Sequence, residues 1–137
     1  MLKILIVDDS DGWRIYHKDT LENIFQDDEV SIDTAVSARD GYDKILFSTK
    51  EPYDLIVTDL QMESDFSPVI AGEWLVRQIQ NFTQYKNTKI LIVSGMYNIE
   101  MTADLLGVDF ISKRMLVSGS EMPFKYKLEE MGLIKEK

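Results

Sequence analysis

The run "ILIVDDS", Ile4 to Ser10, carries four apolar residues straight into two adjacent carboxylates, Asp8 and Asp9. Two unit charges about 4 Å apart repel by roughly 4 kcal/mol at a surface-like dielectric, so a chain that keeps such a pair needs something to offset the repulsion. Other apolar runs also end on polar groups: "YDLIV" is followed by Asp59, "KILIV" by Ser94 and "VDFI" by Lys113. Three carboxylates brought together without compensation must share a proton or disrupt their surroundings. A divalent cation removes the conflict. Mg²⁺ takes one or two protein carboxylates, several waters and phosphate oxygens, which suits Asp8, Asp9 and Asp59 to a magnesium site that handles a phosphoryl group. The Lys113 ammonium and the Ser94 hydroxyl are the groups needed to hold the remaining phosphate oxygens. Singly, each residue has a plainer reading: aspartates after strands cap helices and turns, and a lone lysine or serine is a surface charge or a turn residue. The joint placement at successive strand ends favours one site.

These residues meet only if the runs before them are neighbouring parallel strands. The runs Leu2–Val7, Tyr53–Val57, Lys89–Val93 and Val108–Ile111 are apolar and several are continuous, as in strands covered by helices on both faces. "VSIDTAV" from Val30 alternates and suits an edge strand. Between the runs lie helical stripes: Trp13, Tyr16, Leu21, Ile24 and Phe25; Ala38, Tyr42, Ile45 and Leu46; Trp74, Leu75, Ile79 and Phe82; Ile99, Ala103 and Leu106; and Phe124, Leu128 and Met131, with Pro123 at a first turn and Gly132 at a stop. Five alternations of strand and helix predict a doubly wound α/β fold, a parallel sheet joined by right-handed crossovers. Ligands of such sheets bind outside the carboxyl ends of the strands, where all the polar groups above fall.

The 137-residue chain has the size of a single domain able to bury its own core, with 45% hydrophobic and 28% charged residues. It contains no cysteine, which excludes disulfides, thiolate zinc sites and cysteine nucleophiles. A strand-like run beginning at Leu2 leaves no room for a signal peptide, and no apolar run approaches a membrane span, so a cytoplasmic protein without a membrane partner is expected. The formal net charge of −9 argues against direct nucleic-acid binding, which draws its affinity from Lys and Arg, and favours a small cation or a basic protein surface as partner.

Taken together and in order, "ILIVDDS", "YDLIVTDLQM", "ILIVSG" and "DFISK" resemble the receiver domains of two-component response regulators. The resemblance spans essentially the whole chain, read as a single receiver at 1–137 with no effector domain, and implies a flavodoxin-like five-stranded parallel sheet in the order 2-1-3-4-5. It further implies that Asp59 accepts a phosphoryl group from a histidine kinase. Asp9 and Asp59 would ligate Mg²⁺ directly, Asp8 through a water, and Gln61 through its backbone carbonyl. Lys113 would pair with the phosphoryl group, Ser94 would swing to hydrogen-bond it, and Phe110 would turn inward as the aromatic partner of that switch. Such a protein is a phosphoacceptor that assists its own phosphorylation and dephosphorylation rather than an enzyme acting on a separate substrate. It would signal by binding a downstream protein, as a monomer or a weak dimer paired through the face carrying Lys125, Lys127 and Glu129.

Two positions depart from the family pattern. Glu63 replaces the proline usual after Met62, and the segment "ESDFSPVIA", Glu63–Ala71, reads as a longer and more acidic loop whose Glu63 and Asp65 would bear on metal affinity or kinase access. Arg114 replaces the proline usual after Lys113; without proline a cis bond costs about 2.5–4 kcal/mol, so a trans bond is expected there. These departures favour somewhat the competing reading, a phosphorylation-independent interaction module, while the intact acidic trio with Ser94 and Lys113 favours the phosphoacceptor more. An aspartate-based phosphatase would show Asp-x-Asp where this chain has Asp8 followed directly by Asp9, and a flavodoxin-type carrier would need a phosphate-cradling loop in place of the acidic "DDSDGW". His17 is read as a surface or boundary residue, Trp13 and Trp74 as core or boundary packing, and Asp27–Glu29 as a solvated loop. Side chains beside an acyl phosphate admit or exclude the attacking water, and Met96 is bulky and apolar. Met96→Glu is therefore expected to shorten the phosphoryl lifetime, measured as loss of radiolabel from the isolated phosphoprotein; an unchanged lifetime would refute the role of Met96.

Overall fold

The computed structural model describes residues 2–26, 30–62 and 70–134, and the statements below concern these residues. Five strands, β1 (Leu2–Val7), β2 (Val30–Ala35), β3 (Leu55–Thr58), β4 (Lys89–Ser94) and β5 (Asp109–Ser112), alternate with five helices. These are α1 (Asp11–Ile24), α2 (Ala38–Phe47), α3 (Ala71–Asn81), α4 (Ile99–Leu106) and α5 (Met122–Glu130), with 3₁₀ turns at Thr83–Tyr85 and Lys113–Leu116. All pairings are parallel and the order is β2-β1-β3-β4-β5. The expected doubly wound sheet is present, with β2 at an edge.

The continuous apolar character of the central strands has a direct physical cause. Successive side chains point to opposite faces, and helices cover both. Leu5 and Val7 of β1 pack with Ile56 and Ile92 against Ile45, Leu75, Val76, Ile79, Ile99 and Ala103 of α2, α3 and α4. Ile4 and Ile6 pack with Val57 and Leu91 against Leu21, Phe124 and Leu128 of α1 and α5. Helix starts follow local chemistry: the Ser10 hydroxyl accepts from the Trp13 N–H and the Ser37 hydroxyl from the Asp40 N–H, while Pro123 occupies the first turn of α5. Gly132 follows α5 in the left-handed region, at the predicted stop.

Several details differ from the sequence reading. Strand β3 begins at Leu55 rather than Tyr53, whose ring is buried just before the strand and whose hydroxyl donates to Asp33 Oδ2 at 2.7 Å. Leu46 is 47% exposed, because Ile45 alone completes the buried stripe of α2. Trp74 is 37% exposed and meets the Tyr42 ring at 5.5 Å, forming an aromatic rim over the core. Asp27–Glu29, Glu63 and Asp65 lie outside the described residues. No described helix is long and apolar enough to cross a membrane.

Gly72, in the first turn of α3, presses on the segment that carries Asp59. Its N–H donates to the Leu60 carbonyl at 2.9 Å, and a Cβ there would overlap the Asp59 carbonyl oxygen and stand 2.5 Å from the Leu60 Cα. Backbone cannot give way as a flexible side chain can. Gly72→Ala is therefore expected to cost about 3 kcal/mol, read from urea denaturation. Gly12 in α1 has only the Ser10 Oγ nearby, at 3.9 Å, so Gly12→Ala should stabilise by about 0.4–1 kcal/mol.

Candidate functional site

The sheet register builds the site. The Asp8 N–H donates to the Ala35 carbonyl at 3.1 Å and the Asp59 N–H to the Val7 carbonyl at 3.0 Å. Each aspartate thus extends a ladder by one residue, and the β1–β3 pairing of Val7 with Thr58 sets Asp8 beside Asp59. Lys113 enters from the end of β5, with its Nζ 2.6 Å from Asp59 Oδ2 and 2.9 Å from Asp8 Oδ2. The other carboxylate oxygens are held by backbone. Asp8 Oδ1 accepts from Ser10 N–H at 2.9 Å, and Asp59 Oδ1 from Leu60 N–H at 2.6 Å, with a longer contact from Gln61 N–H at 3.4 Å.

Asp8 is 1% exposed and Asp59 7%. Burial raises the Asp8 carboxyl above the usual carboxylate range, outweighing the Ser10 N–H and the Lys113 ammonium, which act in the opposite direction. Burial also works against the Lys113 ammonium, but the Asp59 and Asp8 carboxylates prevail and raise it above an ordinary lysine. The Trp13 ring lies 4.9 Å from Lys113 Nζ, adding a cation–π contact to the cation's surroundings. Arg14 donates to the Asp8 carbonyl at 2.8 Å and pairs with Asp11, so the first turn of α1 is tied to the end of β1.

Chemically, two buried carboxylates share one ammonium, and their oxygens are hard donors suited to Mg²⁺. The contact from Lys113 to Asp8 Oδ2 is an ion pair without hydrogen-bond geometry, so this buried oxygen keeps a lone pair for a further electrophile or donor. The residues fit a magnesium ion on these grounds. Among the described residues no three acidic or imidazole side chains are gathered as a finished cage.

A family model described as the response regulator receiver domain matches residues 4–118. The chain belongs to this receiver family. Among solved structures, the receiver is similar to the chemotaxis response regulator CheY4 of Vibrio cholerae, at 27% identity and TM-score 0.65 over 82% of this chain and 87% of the other. A response regulator from Chloroflexus aurantiacus shares the fold at 18% identity and TM-score 0.74, over 94% and 95% of the two chains. The response regulator Rcp1, in a Mn²⁺-bound form, shares it at 14% identity and TM-score 0.71, over 100% and 98%.

Of the residues singled out in the sequence, the receiver fold brings Asp8, Asp59 and Lys113 into direct contact. Asp9 adjoins them at the end of β1, half-buried. Gln61 is exposed two residues after Asp59. Ser94 is the last residue of β4, buried, and its hydroxyl accepts from the Met96 N–H at 3.2 Å, within its own turn. Phe110 is half-buried in β5 and packs on the core face of α2–α4, with Lys127 Nζ 5.8 Å from its ring. The Lys113–Arg114 bond is trans, as expected without proline.

His17 is the main correction. Read from the sequence as a surface or boundary residue, it is 1% exposed, enclosed by the rings of Trp13 at 5.5 Å, Tyr16 at 5.9 Å and Phe124 at 5.4 Å. The signal was there in the spacing: His17 lies four residues after Trp13 and four before Leu21, on the inward stripe of α1. Burial, helped by the Lys113 charge, lowers its pKa from 6.5 to about 3. The folded imidazole stays neutral while the unfolded one gains a proton on acidification. The stability it lends is complete above pH 6.5 and falls as pH drops from there toward 3, with a slope of up to about 1.4 kcal/mol per pH unit. His17→Phe is expected to lose less stability than the wild type between about pH 7 and pH 5, in urea titrations compared at each pH.

Proposed function

We propose that this receiver takes a phosphoryl group on Asp59 from the phosphohistidine of a kinase, in a Mg²⁺-dependent reaction, and passes the signal on by protein–protein contact. The observation that carries the reading is the Lys113 ammonium held 2.6 Å from Asp59 Oδ2 in a nearly dry pocket. A carboxylate is a poor acceptor for an anionic phosphoryl group until nearby cations neutralise the accumulating charge, and catalysis here is largely positioning and electrostatics. Asp59 Oδ2 forms the new bond to phosphorus, and the electron pair of the breaking P–N bond returns to the donor imidazole. Lys113 stays with the oxygens of the arriving group. The Leu60 N–H keeps Asp59 Oδ1 fixed and so holds the carboxylate plane. Asp9 and Asp59, with Asp8 through a water and the Gln61 carbonyl, would hold Mg²⁺, whose role is to neutralise phosphate charge and orient the transferring group. In the modified protein the Ser94 hydroxyl would leave its turn for the phosphoryl oxygens, and Phe110 would follow.

A surface for the downstream partner lies close to Ser94. Tyr97, Met101 and Leu105 are 91%, 66% and 77% exposed on α4 and the turn before it, an apolar face larger than isolated surface residues require. The trans Lys113–Arg114 step supports a second reading, a receiver that works as a phosphorylation-independent interaction module.

Intact mass after incubation with acetyl phosphate separates the two. The first reading expects a phosphate adduct that requires Mg²⁺ and disappears in Asp59→Asn. A wild-type protein that binds Mg²⁺ but never gains the adduct supports the second.

A further inference from the structure

Behind the acidic site stands a buried group that the proposed chemistry does not use. His17 Nε2 lies 4.0 Å from Asp8 Oδ2, and both atoms are buried without a hydrogen-bond partner, as is His17 Nδ1. A buried imidazole normally finds a partner for each ring nitrogen. An apolar ring would fill the space among Trp13, Tyr16 and Phe124 without that cost. Asp8 Oδ2 is compensated by Lys113 at 2.9 Å, which also holds Asp59 Oδ2.

We infer that His17 is a positioning residue for Asp8: as the Nε2–H tautomer it donates to Asp8 Oδ2 once Lys113 turns from Asp8 to a phosphoryl group on Asp59. This rests on the reading of Asp59 as the acceptor. The departure of Lys113 would take away the ammonium that now compensates this buried carboxylate oxygen. The imidazole is about 1 Å beyond hydrogen-bond reach of it. Walled in by three rings, the imidazole in its neutral form can supply a donor without adding a charge that would compete with Lys113 or a metal. The hydrogen bond would hold the Asp8 carboxylate in one orientation, as outer partners of metal-binding groups generally do. The site would thereby exchange one partner of Asp8 for another as phosphate arrives, and His17 Nε2 would gain its partner in the loaded protein.

The test uses beryllofluoride, a mimic of an acyl phosphate, with Mg²⁺ on the full chain. Fluorine spectra report whether it binds at the site, and ¹⁵N–¹H spectra of the single imidazole report its hydrogen bond. On loading, the Nε2 proton is expected to become protected from exchange and move downfield. In the presence of beryllofluoride, His17→Phe, which fills the ring stack but has no donor, should bind Mg²⁺ about tenfold more weakly, whereas His17→Gln, which keeps an N–H, should recover most of the loss. Beryllofluoride bound with the imidazole signals unchanged, or His17→Phe binding Mg²⁺ as tightly as the wild type, overturns the role of His17 alone. No bound beryllofluoride in the wild type overturns the reading of Asp59, and this inference with it. Should His17→Phe fail to fold, the wild-type imidazole spectrum decides.

Discussion

Two buried carboxylates sharing one ammonium is the interaction on which the site depends. Asp8 and Asp59 sit at 1% and 7% exposure, where an uncompensated negative charge is strongly disfavoured. Lys113 reaches both with one nitrogen, and backbone N–H groups take the remaining oxygens. Burial works against the Asp8 carboxylate more strongly than the Ser10 N–H and the Lys113 ammonium favour it. Two buried carboxylates beside a single ammonium offer hard oxygen donors of the kind a divalent cation takes.

The parallel sheet delivers these three residues to one place. Parallel strands all end on the same edge, and order β2-β1-β3-β4-β5 makes β1 and β3 direct neighbours, so carboxylates one residue past each strand are adjacent without any long loop to position them. Lys113 arrives from β5, two strands beyond β3, and its length spans the gap. The same edge is braced from α3, where Gly72 brings its helix against the Asp59–Leu60 backbone. The segment that carries Asp59 is thus pressed directly by a helix.

Around the ion cluster runs an aromatic wall of Trp13, Tyr16, His17 and Phe124, contributed by α1 and α5. It keeps water from one side of the site and places a cation–π contact on Lys113. Its histidine is the residue whose position the sequence reading misjudged. A lone histidine beside a tyrosine looks like boundary; only the packing of α5 onto α1, which brings Phe124 over the ring, encloses it. Leu46 erred in the opposite direction, since a helical stripe says which side faces inward but not how far the covering layer extends.

The sequence by itself determined the alternation of strand and helix, because apolar runs and helical stripes are local patterns. It also determined which residue types end each strand, and therefore that three carboxylates, a hydroxyl and an ammonium crowd one edge. Distances were decided only by the tertiary structure. That Lys113 bridges Asp8 and Asp59, and that His17 faces Asp8 across 4.0 Å, depend on strand order and on the packing of α1 and α5. Those contacts join residues up to about a hundred positions apart, and what brings them together is burial of apolar surface over the whole sheet, which no local stretch of sequence encodes.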